Sequence, residues 1–449
     1  MARDFRPYTP DQAFLLPQSL REWLPEGHLA LFLQDTVAVM DLRPILKRYH
    51  GGRGPQAYHP QMLLTVLLYG YCTGVYSSRK IAAHCETDVA FRVLSAGQFP
   101  DFRTLSDFRK DHLQAFERLF LEVLRLCREA GLLRLGHLSL DGSKFQANAS
   151  KHKAMSYGRI QEAEPKLEAE IRSLLEQAQR VDAAEDVEHG ADRRGDELPE
   201  ELRRREGRLA KIREAKRRLE ERARNRAFER AEARGTSPEE TEAAVAAAMP
   251  GPKEQSNFTD PESRIMKAHS GWVQGYNAQV LVNEDGVIVA QEVTAHPTDS
   301  QRLTPMLDQA DANLKAVGVR EAERQSGVFT ADAGYCSEAN LAELERRQID
   351  AYVATGRERH RSGSEDTGGA PRTPRRAAMR AKLKTESGHA VYARRKVMTE
   401  PNFRQIKHAR RFRQFLLQGL AKVFGEFTLV ALTHNLLKLW RSQARAVAE

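Results

Sequence analysis

The 449-residue chain carries 70 Lys+Arg against 61 Asp+Glu, a formal net charge of +9 and a sequence pI near 9.3, which favours a polyanionic partner without requiring one. Its length suits two or three domains with a sizeable core, and its four cysteines (Cys72, Cys85, Cys127 and Cys336) form no CxxC, so neither a zinc site nor a disulfide framework is indicated. The start, MARDFRPYTPDQAFLLP, has charge where a signal peptide needs its apolar run, and segments such as MLLTVLLYGYCTGV are too short to span a bilayer, so a soluble cytoplasmic protein is expected.

Residues 1–133 read as helical. HLALFLQDTVAVMDLRPILKRY has apolar residues at three- and four-residue steps, and GGRGPQAYHP interrupts the pattern. QMLLTVLLYGYCTG and SSRKIAAHCETDVAFRVLS follow. After the Phe99-Pro100 break, Thr104 precedes a helix that carries Arg103, Arg109 and Lys110 near its beginning. Two short helices around a break, the second basic at its start, match a DNA-binding helix-turn-helix; an ordinary helical domain with a solvated basic face matches equally well.

LSLDGSKFQANAS, from Leu138 to Ser150, is the first strand, and it delivers Asp141 at an apparent strand end. Residues 158–249 then change character. Ile160, Leu167, Leu174 and Val181 recur at heptad spacing with Ile171 and Ala178 alongside, HGADRRGDELP breaks the run, and Leu202, Leu209, Ile212 and Leu219 lie in a second, Arg-rich helix. This predicts an inserted antiparallel coiled-coil hairpin with its tip near Gly190 to Pro199. RRREGRLAKIREAKRRLEERARNR could bind DNA, but the interleaved glutamates favour a solvated helix laced with ion pairs.

Strand patterns return in GWVQGYNAQVLVNEDGVIVAQEVTAH, a hairpin about Asn283 to Gly286. A helix near Ser300 to Ala316, the strand SGVFTADAGY, the helix SEANLAELERRQ and the strand IDAYVATG follow. Residues 357–388 read as a mobile loop, and the remainder from about Val391 as helix. The expected domains are 1–133, helical and DNA-binding; 134–157, the first core strand; 158–257, the insert; 258–440, the rest of the core; and 441–449, a tail.

Asp141 and Asp332 both follow apolar strands, and Glu400 stands on the late helix. Three carboxylates so supported suit two magnesium ions, whereas any one of them alone is more simply a turn or helix-start residue. Asp260, Asp285 and Asp299 are rival acids, two in apparent loops and Asp285 at a hairpin tip, and are given structural roles. No Walker A lysine motif, HExxH or GxSxG competes.

LSLDGSKFQANAS, FTADAGYCSEANL and YARRKVMTEPNFRQIKHARRFRQFLLQGL resemble the three catalytic blocks of bacterial insertion-sequence DDE transposases. AYHPQMLLTVLLYGYCTGVYSSRKIAAHCETDVAFRVLS and PDFRTLSDFR resemble the N-terminal domain of the same proteins. The resemblance implies an α/β fold: a ribonuclease-H-like mixed β-sheet flanked by helices, with an all-α N-terminal domain and the inserted helical hairpin. It also implies an Asp141–Asp332–Glu400 metal triad holding two Mg²⁺, with Mn²⁺ as a substitute. Tyr392, Arg395 and Lys407 match the Tyr-Arg-Glu-Lys signature that holds the DNA backbone of the transposon end. Four residues separate Arg395 from Glu400 where the signature has three, so Lys396 occupies the expected arginine place. The implied activity is cleavage at element ends and strand transfer into target DNA. The implied partners are double-stranded DNA (end repeats and target) and a second copy in a synaptic homodimer, in a cytoplasmic, nucleoid-associated setting with no membrane. A nuclease of the same fold, a non-enzymatic DNA-binding relic and a coiled-coil scaffold are the alternatives. The intact acids and the short reach of the heptads favour the transposase.

Overall fold

Helical periodicity in the first third of the chain gives helices in the computed structural model, which describes residues 19–49, 57–189, 200–268, 271–325, 327–356 and 373–448. They are α1 (Leu29–Ala38), α2 (Pro60–Thr73), α3 (Ser78–Thr87), α4 (Val89–Leu94), α5 (Phe102–Asp111) and α6 (Leu113–Glu129). Helix α2 starts with Pro60, whose missing N–H is no loss in the first turn, and stops at Gly74 with φ 86°. A side chain at Gly74 would also collide with the backbone, because its Cβ would lie 2.7 Å from the Arg410 carbonyl oxygen. Helix α5 is capped by Asp101, whose carboxylate accepts the Arg103 N–H at 2.7 Å, so Thr104 lies inside the helix rather than before it.

The sheet is built from the alternating segments. Its strands are β1 (His137–Gln146), β4 (Arg264–Ala268), β5 (Gly271–Val282), β6 (Ile288–Thr294), β7 (Val328–Ala331) and β8 (Asp350–Val353); β2 (Ala154–Ser156) and β3 (Gln255–Asn257) form a separate ribbon. The path runs β4-β5-β1-β7-β8, with β6 also on β5. Strands β1 and β5 are antiparallel, while β1, β7 and β8 run parallel. Two points differ from the sequence reading. Strand β1 does not end on Asp141: its parallel pairing with β7 stops at Leu140↔Ala331, but its antiparallel pairing with β5 continues to Gln146↔Gly275. Residues 374–384, read as part of a loop, are a helix.

That helix is α12 (Pro374–Lys384), after α10 (Leu303–Ala316) and α11 (Glu338–Arg346); it is followed by α13 (Glu386–Arg404) and α14 (Leu420–Ala448). The remainder of the expected loop, 357–372, lies outside the described residues. One continuous apolar core runs from Leu33 and Leu67 through Phe116 and Leu140 to Val430 and Leu436, so the first six helices, the sheet and α14 share an interior. Among the described residues no helix is long and apolar enough to cross a membrane.

The insert has its own core. Helices α7 (Tyr157–His189) and α8 (Glu200–Arg234) bury Ile160, Leu167, Ile171, Leu209, Ile212 and Leu219 against each other, and α9 (Pro238–Ala246) follows. The pairs Glu164–Arg213 and Glu170–Arg205 show that α7 and α8 run antiparallel, and they leave many of the arginines engaged by glutamates. The expected tip and the side chains of Val181 and Leu202 lie outside the described residues. At the base, the Tyr157 N–H donates to the Glu254 carbonyl at 2.7 Å and the Gly158 N–H to the Pro252 carbonyl at 3.1 Å. The two ends of the insert are thus already adjacent. Replacing residues 159–251 with two glycines is expected to leave the sheet folded and its thermal midpoint within a few degrees of the parent, read by circular dichroism. Collapse of the sheet signal would show that the insert supports the core.

Candidate active site

The strand register sets the first feature. Because Leu140 pairs with Ala331 in the parallel ladder, the next residues on the two strands are Asp141 and Asp332. Neighbouring strands lie about 4.8 Å apart, so the two carboxyls share one point of the sheet. Asp141 accepts the Gly142 N–H at 2.9 Å through Oδ1 and the Arg395 guanidinium at 3.2 Å through Oδ2. Burial pushes its carboxyl up to about 6; the Arg395 charge opposes that rise and the Asp332 charge adds to it. Asp332 opens a short turn by accepting the Gly334 N–H at 2.9 Å, and burial raises it as well, with the Asp299 charge adding to the rise.

Asp299 is therefore part of this site and not a loop residue of purely local role. Its Oδ1 accepts from Asn277 (2.6 Å), Gln279 (2.8 Å) and Lys144 (3.3 Å). Asn277 and Gln279 are fully buried on alternate positions of β5, and Gln279 also accepts from the buried Tyr335 hydroxyl. A signal for this was present in the sequence. Two amides at i and i+2 inside an otherwise apolar strand need a polar partner on the same face.

Helix α13 supplies the other side. Arg395 lies 5.8 Å from the centre of the Tyr392 ring, Thr399 one turn on is fully buried and donates to the Arg395 carbonyl at 3.1 Å, and Lys396 is exposed. Of the two basic residues before the glutamate, Arg395 is the one that reaches the carboxylates. Glu400 follows Thr399 directly on the same helix and is exposed, its side chain turned outward. The chain then widens into a π-helical turn, Gln405–Ala409, in which the Arg410 N–H donates to the Gln405 carbonyl. This turn breaks the single helical face expected for Glu400 and Lys407. Lys407 turns toward β1, donates to Ser143 Oγ (2.6 Å) and the Lys144 carbonyl (2.7 Å), and sits 4.3 Å from the centre of the Phe145 ring. Burial, helped by the Lys144 and Arg413 charges, pulls its ammonium down to about 8.

A lysine engaged in this way positions the strand that bears Asp141. Lys407→Met is expected to lower stability by ~1–3 kcal/mol, the scale of stranding buried partners, and to lower DNA cleavage with it. Thermal unfolding and cleavage measured side by side check this. An unchanged thermal midpoint with a weakened salt dependence of DNA binding would make Lys407 a plain phosphate contact instead.

The two N-terminal arginines divide. Arg103 is exposed beside the Phe102 ring. Arg109, expected on a DNA-facing surface, is buried at 5% exposure and donates to the Tyr71 hydroxyl (3.2 Å) and the Tyr76 carbonyl (3.0 Å). It shares the inward stripe of α5 with Leu105 and Phe108, so its position on the helix removes it from any DNA surface.

Among the described residues no three His, Cys, Asp or Glu side chains form a set that could hold a metal ion. The Asp141–Asp332 pair still suits a divalent cation. Both carboxyls are raised by burial, one arginine is the cation at hand, and carboxylate oxygens are the ligands magnesium takes.

Paired acids on adjacent parallel strands, faced by an arginine-bearing helix, are compatible with phosphodiester chemistry. Residues 18–111 match the family model Transposase domain (DUF772), and residues 246–436 match Transposase DDE domain, which contains Asp332, Glu400 and the Tyr392–Lys407 segment. No curated protein and no solved structure matches the chain. Together these two matches place the chain among the DDE transposases of insertion sequences, and they indicate a DNA transposase.

Proposed function

We propose that the protein cuts DNA at the ends of its own insertion sequence and joins the freed ends to target DNA, using Asp141, Asp332 and Glu400 with two magnesium ions, for which manganese can substitute. The observation that carries this is the register of β1 against β7, which sets Asp141 and Asp332 side by side at half-buried positions. When bound, the ions would activate water or a 3′-hydroxyl and stabilise the leaving oxygen of the phosphodiester. Asp141 and Asp332 present oxygen ligands from a rigid sheet, and the Gly142 N–H holds the Asp141 carboxylate by a hydrogen bond. Glu400, next to Thr399, completes the set by turning its side chain inward. Arg395 has an Nε without a partner and can take a phosphate oxygen once a cation has replaced it at Asp141.

The mixed sheet, with β1 central and helices around it, supports a ribonuclease-H-like core. The antiparallel α7–α8 pair with its own apolar seam supports a coiled-coil insert, whose proposed work is end binding and contact with a second copy in the synaptic homodimer. The test is a supercoiled plasmid bearing the inverted repeats that flank the coding region, incubated with protein and Mg²⁺ beside a target plasmid. Cuts at the repeat ends and joined products are expected. Cutting without joining would make the protein a nuclease, and cutting indifferent to the repeats would overturn the reading.

A further inference from the structure

A second site lies where the insert meets the edge of the sheet. A cavity of about 620 Å³ opens between α8, the segment just after the insert, strand β4 and the loop that follows β6. We propose that this cavity binds a phosphate of the DNA-end strand, gripped by Arg222 from the insert and Arg264 from the sheet. The proposal rests on the end-processing reading above and assigns the insert a role in it.

The charges carry the argument. Four cationic side chains line the cavity (Arg222, Arg226, Lys253 and Arg264) against two carboxylates, Glu229 and Glu254. Glu254 is engaged by Arg226 at 2.6 Å. Arg222 and Arg264 both donate to the Pro261 carbonyl, and Arg264 also to the carbonyls of Glu262 (3.0 Å) and Ser263 (2.8 Å). Neither forms an ion pair with a carboxylate among the described residues, although the Glu262 charge lies near enough to be felt by both. Burial and the nearby Arg264 charge pull Arg222 down to about 10. Two guanidiniums held close together, neither paired with a carboxylate among the described residues, favour a ligand that neutralises both, and a phosphate presents the oxygens their planar forks match. Gln274, also in the wall, is 5% exposed; its Nε2 donates to Ser263 Oγ at 2.7 Å and its Oε1 has no partner. Ser263 donates its own proton to the Asp260 carbonyl at 2.7 Å, which fixes the amide this way round and leaves Oε1 as an acceptor for a water or hydroxyl carried by the strand, not for the phosphate oxygens themselves.

Position favours a strand already in the active site. The cavity wall includes His296 and Pro297, and the same loop reaches Asp299 two residues on. Asp299 binds Lys144 and stands beside Asp332. Two or three residues of chain span at most about 10 Å, the rise of about three nucleotides. A strand with its scissile phosphate at Asp141 and Asp332 can therefore reach the near wall of the cavity that Arg222 and Arg264 line within about three nucleotides.

The experiment measures binding of the inverted-repeat duplex by fluorescence anisotropy across a salt titration, with thermal midpoints as a folding control. Arg222→Gln and Arg264→Gln are each expected to weaken binding roughly tenfold and to reduce the slope of log K against log salt by about one. Asn225→Asp, at an exposed position of the wall, adds an anion without disturbing packing and is expected to weaken binding at an unchanged midpoint; it decides the matter if an arginine variant fails to fold. Unchanged slope and affinity in the folded variants would overturn the proposal. So would stabilisation of the wild type by inorganic phosphate alone, lost in Arg222→Gln, with end binding unaffected, because the cavity would then serve a free anion. Wild-type protein that ignores the repeat duplex would instead overturn the end-processing reading, and this proposal with it.

Discussion

Asp141→Asn and Asp332→Asn should each lower cleavage at the element ends by on the order of 10³-fold or more, the scale of losing a principal group of an active site. Binding of the end duplex should survive, because backbone affinity comes from arginine and lysine contacts and the release of counterions. Stability gives an independent readout. The Asp141 carboxyl is held at about 6 in the folded chain, above the value near 3.9 expected when unfolded. A group raised on folding contributes stability below its unfolded pKa and loses that contribution as pH rises through the folded one. At pH 7.5 the anion is therefore a burden, and the amide relieves part of it, up to ~2–3 kcal/mol less what Arg395 loses as a partner. The Asp141→Asn protein should melt no lower than the parent at pH 7.5, and the advantage should fall by about half at pH 5 and vanish only below about pH 4, under the unfolded pKa. A variant that retains full cleavage would remove Asp141 from the chemistry, and one that melts well below the parent at pH 7.5 would make the residue structural. Glu400→Gln belongs in the same assay. It should abolish cleavage with no change in melting, since its side chain is exposed.

The two strand aspartates were legible in the sequence because each follows an apolar run that can only be a buried strand. Asp141 and Asp332 need nothing further than parallel pairing of those runs to meet. Asp299 was not legible in that way. Its place depends on where a loop crosses the sheet, and only the two buried amides of β5 hinted at a partner. The same limit applies to the orientation of α13. Seven-residue spacing puts Glu400 and Lys407 on one face of a regular helix, and the π-helical turn after Arg404 changes that register. Spacing reports a uniform helix, while the turn is set by tertiary demands, among them the two oxygens of β1 that Lys407 binds. The helix at 374–384 was missed for a different reason. Its composition is basic and polar, but Thr373 followed by Pro374 is a helix-start pattern that composition overrode.

Arg109→Met should destabilise the fold by about 3–5 kcal/mol, the effect of removing one partner from a buried charged network. The network links the N-terminal helices to α14. Arg109 donates to the Tyr71 hydroxyl, and that hydroxyl donates to Glu426 at 3.2 Å. The other Glu426 oxygen accepts the N–H groups of Leu416 and Leu417 at 2.9 and 3.1 Å. Glu426 is fully buried, and burial raises its carboxyl while the Arg109 charge and these hydrogen bonds hold it down. Without Arg109 the fully buried carboxylate loses the charge that offsets its burial. The double variant Arg109→Met/Glu426→Gln should recover a good part of the loss, because a neutral amide can still accept an N–H and leaves no buried charge. Thermal and urea unfolding measure both steps, and DNA binding separates the two possible roles of the arginine. If Arg109 acted on DNA, Arg109→Met would melt with the parent and bind more weakly, and Glu426→Gln would not rescue it. If it joins the helical part to the core, the single variant melts early, the second substitution restores it, and the refolded double variant binds the element end with the parent's salt slope.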